Sequence, residues 1–334
     1  MTKTHVAIQG VCAWPNLVQF PDGTIIATIF NQPTHGGWEG DLDCWASVDG
    51  GQVWAFRGRP APHDPTTNRM NCGAGLARDG NMIVLASGWS KRPPAGTYLS
   101  PHEGQVLPLW VCRSSDGART WQHVEDAVSP PPGPHHPLIP FGMIVQNHDG
   151  TLGASMYGWG ADPKQREALF YVSRDDGKTW ELRSTIAQNL NETTLLALPN
   201  GRLLAVARTA GDQHLELFSS ADAGTTWQAK GPLSLPSQIP AHMLRITDGR
   251  VVLCYGNRCP NNCGIDARIS RNDGETWGPP IRLANMPFSD GGYPASVQLA
   301  DGGIVTAYYN QISGKYHYEM CVATWDINDY DKVK

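Results

Sequence analysis

One eight-residue pattern recurs five times along this 334-residue chain, and each copy ends in tryptophan. The copies read SVDGGQVW, SSDGARTW, SRDDGKTW, SADAGTTW and SRNDGETW, and they end at Trp54, Trp121, Trp180, Trp227 and Trp277. Recurrence at such intervals is typical of folds that place one supersecondary unit beside the next many times. The chain is therefore predicted to be an array of similar units.

A second repeat runs out of phase with the first. Six short apolar runs each meet an Asp-Gly or Asn-Gly turn and then a β-rich run, and the turn glycines are Gly23, Gly80, Gly150, Gly201, Gly249 and Gly302. Asp-Gly or Asn-Gly between apolar runs is a strong hairpin signal, because the tight turn needs a positive φ angle. Intervals of 48 to 70 residues between these glycines suit propeller blades with variable loops.

The two repeats together predict the fold. Each of the first five hairpins is followed by a third apolar run, one eight-residue turn and a fourth run, and the sixth hairpin by a third run, which indicates six units of four strands. This predicts an all-β fold, a six-bladed β-propeller of four-stranded antiparallel blades. The sixth unit has no fourth run after Trp325, so the N-terminal strand at about residues 4–10 is predicted to complete the last blade. We predict that residues 1–334 form a single domain.

The eight-residue turn itself is predicted to be structural. Its Asp and Ser/Thr side chains are able to hydrogen-bond their own backbone in a tight turn between the third and fourth strands. Its tryptophan is predicted to pack under the next blade.

Composition excludes several classes of partner. The formal net charge is −5 and there is no basic run, which argues against a nucleic acid and against an anionic membrane surface. No apolar stretch is long enough for a signal peptide or a transmembrane helix. Together with eight cysteines that lie mostly in strand-like runs, this predicts a cytoplasmic protein. The one close pair, Cys259 and Cys263, lacks a second pair, so no metal site and no cofactor are predicted. The oligomeric state is not indicated.

The face opposite the five turns is predicted to hold the ligand, because loops from every blade meet there near the axis. The loops that enter each first strand and leave each second strand are rich in arginine, histidine, carboxylates and aromatic residues. They supply Trp14, His35, Trp38, Glu39, Asp41, Asp64, Arg69, Asn71, His135, His136, Trp159, Glu192, Arg208, His242, Arg258, Asp290 and Tyr293.

These features resemble the sialidase (neuraminidase) superfamily, in which the eight-residue turn is called the Asp-box or BNR repeat, and the resemblance covers essentially the whole chain. NETTLLALPNGRLLAVART resembles the family segment in which a glutamate opens a blade and an arginine closes its second strand, matched here by Glu192 and Arg208. GGYPASVQLADGGIVTAYY resembles the segment with the nucleophilic tyrosine, matched by Tyr293, and AHMLRITDGRVVLCYGNR resembles the preceding blade, with Arg258 at its loop. The resemblance implies a sialidase-like exo-glycosidase that acts on a terminal, acidic sugar.

The implied chemistry is physically reasonable. A tyrosine with a pKa of about 10 is a poor nucleophile until a neighbouring carboxylate accepts its proton. An anionic sugar repels a carboxylate nucleophile but tolerates a neutral phenol, and arginines bind the sugar carboxylate through two hydrogen bonds. The resemblance thus makes Tyr293 and Glu192 the catalytic pair, with Arg208 and Arg258 as substrate ligands.

Two departures from the family pattern bear on the reaction. The blade-one Arg-Ile-Pro is replaced by Ala13-Trp14-Pro15, which removes one arginine of a triad. Where we expect the acid/base aspartate, at the entry to blade two, the chain has Asn71, and an amide is unable to protonate a leaving group.

Four further residues are predicted to bind substrate in compensation. Arg69 is a candidate replacement for the lost arginine, His242 and His136 are candidate ligand contacts or proton donors, and Trp38 is a candidate stacking platform for a sugar.

Two other functions remain open from the sequence. One is a polysaccharide lyase on uronic-acid glycans, in which Tyr293 or a histidine abstracts a proton while arginine neutralises the carboxylate. The other is a sugar-binding propeller without catalysis, which the missing acid favours.

Overall fold

The predicted hairpin turns lie between antiparallel strands. In the computed structural model, which describes residues 2–97, 103–132, 137–159, 165–314 and 316–330, Gly23 and Gly302 have φ angles of 88° and 93°. Only glycine adopts such angles without a steric penalty. The turn residues therefore fix where each first strand ends and its partner begins.

The described residues contain 24 strands. The N-terminal strand is β1 (Lys3–Gln9). The first three groups of four are β2 (Cys12–Gln19), β3 (Ile25–Phe30), β4 (Leu42–Ser47), β5 (Ala55–Ala61); β6 (Asn71–Leu76), β7 (Met82–Ser87), β8 (Trp110–Ser114), β9 (Gln122–Val124); and β10 (Ile139–Gln146), β11 (Leu152–Trp159), β12 (Arg166–Ser173), β13 (Glu181–Gln188). The remaining strands are β14 (Leu190–Ala197), β15 (Leu203–Thr209), β16 (Leu215–Ser220), β17 (Gln228–Pro232); β18 (Gln238–Arg245), β19 (Val251–Asn257), β20 (Gly264–Ser270), β21 (Ile281–Asn285); and β22 (Gly291–Gln298), β23 (Ile304–Gln311), β24 (Tyr318–Trp325). Two short 3-10 helices are Ala210–Asp212 and Ile327–Asp329.

The first strand of each group lies beside the first strand of the next. The contacts run from β2 to β6, β10, β14, β18 and β22 and back to β2, so the six strands close a ring. The second and third groups share an eight-stranded sheet, because β10 pairs in parallel with β6. The all-β fold of four-stranded antiparallel blades is confirmed, and the six groups fit the six predicted blades.

The last group is completed from the N-terminus. Strand β1 pairs antiparallel with β24, with Lys3 opposite Thr324 and Gln9 opposite Glu319. The sheet order is β1-β24-β23-β22, so β1 occupies the outer position that a fourth strand has in the other groups. Among the described residues, no helix is long and apolar enough to cross a membrane.

The eight-residue turns have the predicted internal hydrogen bonds. In the third copy Ser173 Oγ donates to Asp175 Oδ1 at 2.8 Å, and the same oxygen accepts from the backbone N of Thr179 at 2.9 Å. The hydroxyl of Thr179 donates to Asp175 Oδ2 at 2.7 Å, and the N of Gly177 donates to Ser173 Oγ at 2.7 Å. The turn is thus a local structural motif.

The turn tryptophans pack toward the preceding blade. Our prediction that they pack under the next blade was wrong. Trp54 belongs to the apolar cluster that holds Val305 and Val322 of the sixth group. Trp180 belongs to the cluster that holds Ile83 of the second group. Apolar cores therefore lie between adjacent blades, and each turn is anchored to the interface with the blade before it.

Candidate active site

A cavity of about 410 Å³ opens on the face predicted to hold the ligand. Each of the six strand groups contributes to its wall. The lining residues are Trp14, His35, Met70, Asn71, Trp89, Tyr157, Arg166, Asn191, Glu192, Arg208, Arg258, Asp290 and Tyr293. A larger hollow of about 590 Å³ lies at the turns of the second and third groups. The wall of the smaller cavity, however, carries two titratable residues that are hydrogen-bonded to each other, Tyr293 and Glu192. The smaller cavity is therefore the candidate site.

Tyr293 and Glu192 meet at the cavity floor. The phenol donates a hydrogen bond of 2.6 Å to Oε1 of Glu192, and the two residues are only 4% and 5% exposed. Each residue lies where its strand leaves regular pairing, between Gly292 and Ala295 in β22 and between Leu190 and Thr193 in β14. Such irregularities re-aim side chains near functional sites.

The backbone of Tyr293 is strained. Its φ angle is 52°, in the left-handed region that a bulky residue rarely adopts. A residue in this region costs on the order of 1–3 kcal/mol and persists only where its surroundings impose it. The strain orients the phenol toward Glu192.

Arg208 binds both members of this pair. Its Nη1 donates to Glu192 Oε2 at 2.6 Å and to the Tyr293 oxygen at 3.1 Å, and its Nε donates to Asp212 Oδ1 at 2.7 Å. Burial alone would lower the pKa of the Arg208 guanidinium, but electrostatic interaction with Glu192 and Tyr293 and the hydrogen bonds to Asp212 and Glu192 together raise it. Burial and the charge of Glu192 also raise the pKa of the Tyr293 phenol above its ordinary value. The phenol is therefore neutral at rest beside a charged guanidinium.

Arg258 lies against the other side of the tyrosine. Its guanidinium carbon is 5.3 Å from the centre of the Tyr293 ring. Nε and Nη2 donate to the carbonyl of Gly291 at 3.0 and 2.8 Å, and Nη2 also donates to the Tyr309 oxygen at 3.3 Å. The hydrogen bonds to Gly291 tie the arginine to the start of β22.

Two glycines allow this approach of the fifth and sixth groups. A Cβ added at Gly256 would lie 3.2 Å from Cα of Gly292 and 2.8 Å from the carbonyl oxygen of Ile239. A Cβ added at Gly292 would lie 3.1 Å from Cα of Gly256. The two backbones therefore pack directly on each other beside the tyrosine.

Each of the two cavity arginines beside Tyr293 keeps one terminal nitrogen unused. Within the part of the chain that the structure describes, Nη2 of Arg208 and Nη1 of Arg258 have no hydrogen-bond partner, while their other nitrogens are engaged. Both guanidinium groups line the cavity. They are thus able to donate to a carboxylate that enters it.

A second polar cluster lies next to the tyrosine, centred on Asp290. Its Oδ1 accepts from Tyr309 at 2.7 Å and is 3.3 Å from Nδ1 of His35, and its Oδ2 accepts from Tyr318 at 2.5 Å. Burial alone would raise the pKa of the Asp290 carboxyl, but the hydrogen bond and charge of His35 and the two phenols hold that pKa below its ordinary value. Asp290 is therefore an ionised hydrogen-bond acceptor.

Four of the predicted site residues meet in the cavity. Glu192, Arg208, Arg258 and Tyr293 form one connected group in its wall, as the family pattern implies. Their individual roles stay predictions. His136 lies outside the described residues.

Arg69 does not line the cavity, which removes the support for it as a substrate ligand. Its guanidinium carbon lies 3.6 Å above the centre of the Trp110 ring, and its Nη1 donates to the carbonyl of Pro108 at 2.7 Å. The side chain is buried under the second group because the flat guanidinium stacks on the indole.

Trp38 and His242 also lie away from the cavity wall. The indole N–H of Trp38 donates to the carbonyl of Thr97 at 2.7 Å, and its ring stacks on Tyr316 with centres 4.6 Å apart. His242 is 3% exposed beside a small void behind Tyr293, and its ring nitrogens have no partner among the described residues. Burial lowers the pKa of the His242 imidazole to about 4, which makes it a neutral core residue.

The two departures from the family pattern change the cavity wall. Ala13 is fully buried, and the neighbouring Trp14 ring meets the Tyr293 ring edge to face with centres 5.2 Å apart. Asn71 lines the cavity, and its amide donates to Ser87 Oγ at 3.3 Å. A buried methyl group at Ala13 and an amide at Asn71 thus stand where the family pattern implies an arginine and an aspartate.

Arg166 also lines the cavity and was not among the predicted residues. The residue opens β12 opposite Trp159, is exposed and lines the cavity, with its guanidinium 5.4 Å from the Trp159 ring centre. It lies at the start of a third strand, whereas residues were predicted only in the loops that flank first and second strands. An arginine at the start of a third strand, paired with an aromatic residue, was the available signal.

Comparisons with known proteins agree with this picture. The model of a BNR repeat-like domain matches residues 98–309. A sialidase from Micromonospora viridifaciens is 24% identical over 90% of this chain and 51% of its own length, so the chain spans about half of that relative.

Solved structures show the same fold. A protein of unknown function from Dyadobacter fermentans superimposes with a TM-score of 0.81 at 23% identity over 97% of this chain and 98% of its own. A Trypanosoma rangeli sialidase in complex with 2,3-difluorosialic acid, described as a covalent intermediate, superimposes with a TM-score of 0.72 at 14% identity over 94% of this chain and 54% of its own.

Proposed function

Since the chain belongs to the BNR repeat-like family of the sialidase superfamily, we propose that it is a sialidase-like glycosidase that removes a terminal acidic sugar from a glycoside. One observation carries this proposal, namely the hydrogen bond from the buried Tyr293 phenol to Glu192 beside two arginines. In a retaining glycosidase a nucleophile attacks the anomeric carbon and forms a glycosyl-enzyme intermediate.

The arrangement supports Tyr293 as that nucleophile. Its pKa is raised, so the free phenolate is scarce at neutral pH, and reaction requires proton transfer as the phenol attacks. The Tyr293 phenol already donates a hydrogen bond to Oε1 of Glu192, so this oxygen is able to accept the phenolic proton without rearrangement. Arg208 holds the second oxygen of Glu192 and also donates to the phenol oxygen, so it orients both partners.

The two arginines support an acidic substrate. Nη2 of Arg208 and Nη1 of Arg258 have no hydrogen-bond partner among the described residues, and guanidinium groups favour carboxylates. A sugar carboxylate bound there would place the adjoining anomeric carbon near the phenol. The covalent intermediate of the trypanosomal sialidase is consistent with a nucleophile in a fold of this kind.

The proposal is tested with fluorogenic aryl glycosides of sialic acid, related nonulosonic acids and glucuronic acid. We expect the intact chain to release the aryl alcohol from at least one acidic glycoside and from none of the matched neutral ones. Saturable binding of the acidic sugars without release of any product would instead indicate a sugar-binding protein. A product with the ultraviolet absorbance of a conjugated uronate would indicate a lyase.

A further inference from the structure

Glycoside cleavage needs a proton for the departing oxygen, and neither carboxylate of the cavity wall is free to supply it. Glu192 is engaged by Tyr293 and Arg208. Asp290 accepts hydrogen bonds from two phenols, and its pKa is below the ordinary value. The amide of Asn71 has no acidic proton to give. Among the described residues of the wall, the candidate donor is therefore a group other than these three.

His35 has the position and the support of such a donor. It lies in the loop after β3, lines the cavity, and its side chain is 36% exposed. Nδ1 is 3.3 Å from Oδ1 of Asp290, while Nε2 makes no hydrogen bond to any described residue. A carboxylate hydrogen-bonded to one ring nitrogen fixes the orientation of the ring. The outer nitrogen is thus left to act on a ligand.

The imidazole also lies close to the catalytic pair. Trp14 makes edge-to-face contacts with both rings, with its centre 5.3 Å from that of His35 and 5.2 Å from that of Tyr293. Tyr309 contacts both rings as well, at 6.1 Å and 5.7 Å between centres. His35 and Tyr293 therefore contact the same two aromatic residues, and both line the same cavity.

We propose that His35 is the general acid that protonates the leaving group, and that Asp290 positions it. This inference rests on the proposed glycosidase function and assigns the step that the absent carboxylic acid leaves open. Asp290 is a positioning residue here, because it acts on the imidazole and not on the sugar.

The two half-reactions balance with water as the second substrate. In the first, the Tyr293 oxygen bonds to the anomeric carbon and its proton passes to Glu192. The glycosidic carbon–oxygen bond breaks, its electron pair goes to the departing oxygen, and that oxygen takes the proton from Nε2 of the His35 imidazolium. In the second, neutral His35 takes a proton from water as the water oxygen bonds to the anomeric carbon. The bond to Tyr293 breaks, and the phenolate recovers its proton from Glu192.

The test compares leaving groups, because an acid matters only where the departing oxygen is basic. The intact chain and His35→Gln are assayed on glycosides of one acidic sugar with dinitrophenyl, methylumbelliferyl and methyl leaving groups. We expect kcat/KM of His35→Gln to fall by about two to four decades for the methyl glycoside and by less than about tenfold for the dinitrophenyl glycoside. His35→Glu, which supplies a new acid, should recover part of the loss on the methyl glycoside.

A matched control separates this role from a structural one. His63 also pairs with a carboxylate, with Nδ1 2.6 Å from Oδ1 of Asp41, but it does not line the cavity. His63→Gln should cleave all three glycosides like the intact chain. Asp290→Asn should show the same dependence on the leaving group as His35→Gln, but with smaller losses, because the imidazole remains. A structural defect would lower all three rates equally.

The outcomes distinguish this inference from the function on which it rests. If the intact chain cleaves none of the glycosides, both are overturned. If it cleaves them and His35→Gln loses the same factor for every leaving group, His35 is not the acid while the glycosidase function remains. Should His35→Gln unfold, His35→Asn is compared in the same series, and the same two outcomes decide.

Discussion

Tyr293 donates its phenolic proton to Glu192 across 101 positions of the chain, in a hydrogen bond of 2.6 Å. The two residues come from the first strands of the sixth and fourth groups, and no local sequence feature relates them. Only closure of the ring, with β18 between β14 and β22, brings them together. The proposed chemistry therefore depends on the whole array.

Replacing Tyr293 by phenylalanine removes one oxygen. We expect the melting temperature and the affinity for an acidic sugar to change little, because the aromatic contacts with Trp14 and Phe141 remain. We expect kcat to fall by two or more decades, roughly the loss seen when a positioned reacting group is removed. Near-normal turnover by Tyr293→Phe would exclude the tyrosine mechanism.

Glu192→Gln should lower kcat by a similar factor, since an amide does not accept the phenol proton. The double variant should be little slower than either single variant, because residues that act as one unit are not additive. Rate losses that multiply in the double variant would show that the two residues act independently.

Arg258→Lys tests the carboxylate site. Lysine keeps the positive charge of Arg258. It lacks the planar guanidinium, which binds the carbonyl of Gly291 through Nε and Nη2 while Nη1 remains available to a ligand. We expect kcat/KM for the acidic substrate to fall by about 10- to 100-fold, roughly the 1–3 kcal/mol of a charged hydrogen bond. The loss should be smaller for a substrate whose carboxylate has been converted to an amide. Arg174→Lys is the control, since that arginine pairs with Glu181 on the surface.

Asp175→Ala tests the eight-residue turn. Asp175 accepts the backbone N–H of Thr179 and bonds the hydroxyls of Ser173 and Thr179. We expect the free energy of unfolding to fall by about 1–2 kcal/mol in chemical denaturation, with the turnover per folded molecule unchanged. An unchanged stability together with lost turnover would place the turn in the catalytic machinery.

His242→Leu tests the buried imidazole through pH. The imidazole has a pKa of about 4 in the folded chain and about 6.5 when unfolded, so the unfolded state binds more protons between these values. The free energy of unfolding therefore decreases as pH falls from 6.5 to 4, by up to roughly 3 kcal/mol from this group. We expect the stability of the intact chain to fall more steeply than that of His242→Leu when urea denaturation at pH 7 and pH 4.5 is compared. Parallel pH profiles would mean that the imidazole is not desolvated.

Deleting residues 2–9 tests the closure of the last group and the single-domain prediction. Without β1, strand β24 presents an unpaired edge, so we expect aggregation or a large drop in melting temperature. The intact chain should unfold in one cooperative transition. A truncated chain that melts like the intact one, or an intact chain with two separate transitions, would contradict this prediction.

Local turn chemistry explains why the fold was predictable. Gly201 and Gly249 adopt the positive φ angles that Asn-Gly and Asp-Gly turns require, and strands begin and end around them. The residues of the proposed catalytic pair were predictable only through the family resemblance. Their contact across the ring has no periodicity of its own.

The remaining site residues depended on packing that periodicity does not encode. Arg69 and Arg166 are both arginines near apolar runs, yet Arg69 stacks on Trp110 beneath the surface while Arg166 lines the cavity. Trp38 is held by a carbonyl of a distant loop, and His242 is enclosed behind the tyrosine. The position of each side chain depends on neighbours from another part of the chain, and sequence spacing carries no information about those neighbours.

The bare backbone contact between Gly256 and Gly292 has an evolutionary consequence. A Cβ at Gly256 would clash with the carbonyl oxygen of Ile239 at 2.8 Å, and a Cβ at Gly292 would press on Cα of Gly256 at 3.1 Å, so a side chain at either position requires the neighbouring backbone to shift. Substitution of either glycine is therefore restricted, whichever sugar the protein binds. The opposite wall has no such restriction at Arg166, whose exposed side chain offers a place where mutation changes the shape and charge of the cavity. We expect relatives with different substrates to differ at the position of Arg166 and to keep the glycines at positions 256 and 292.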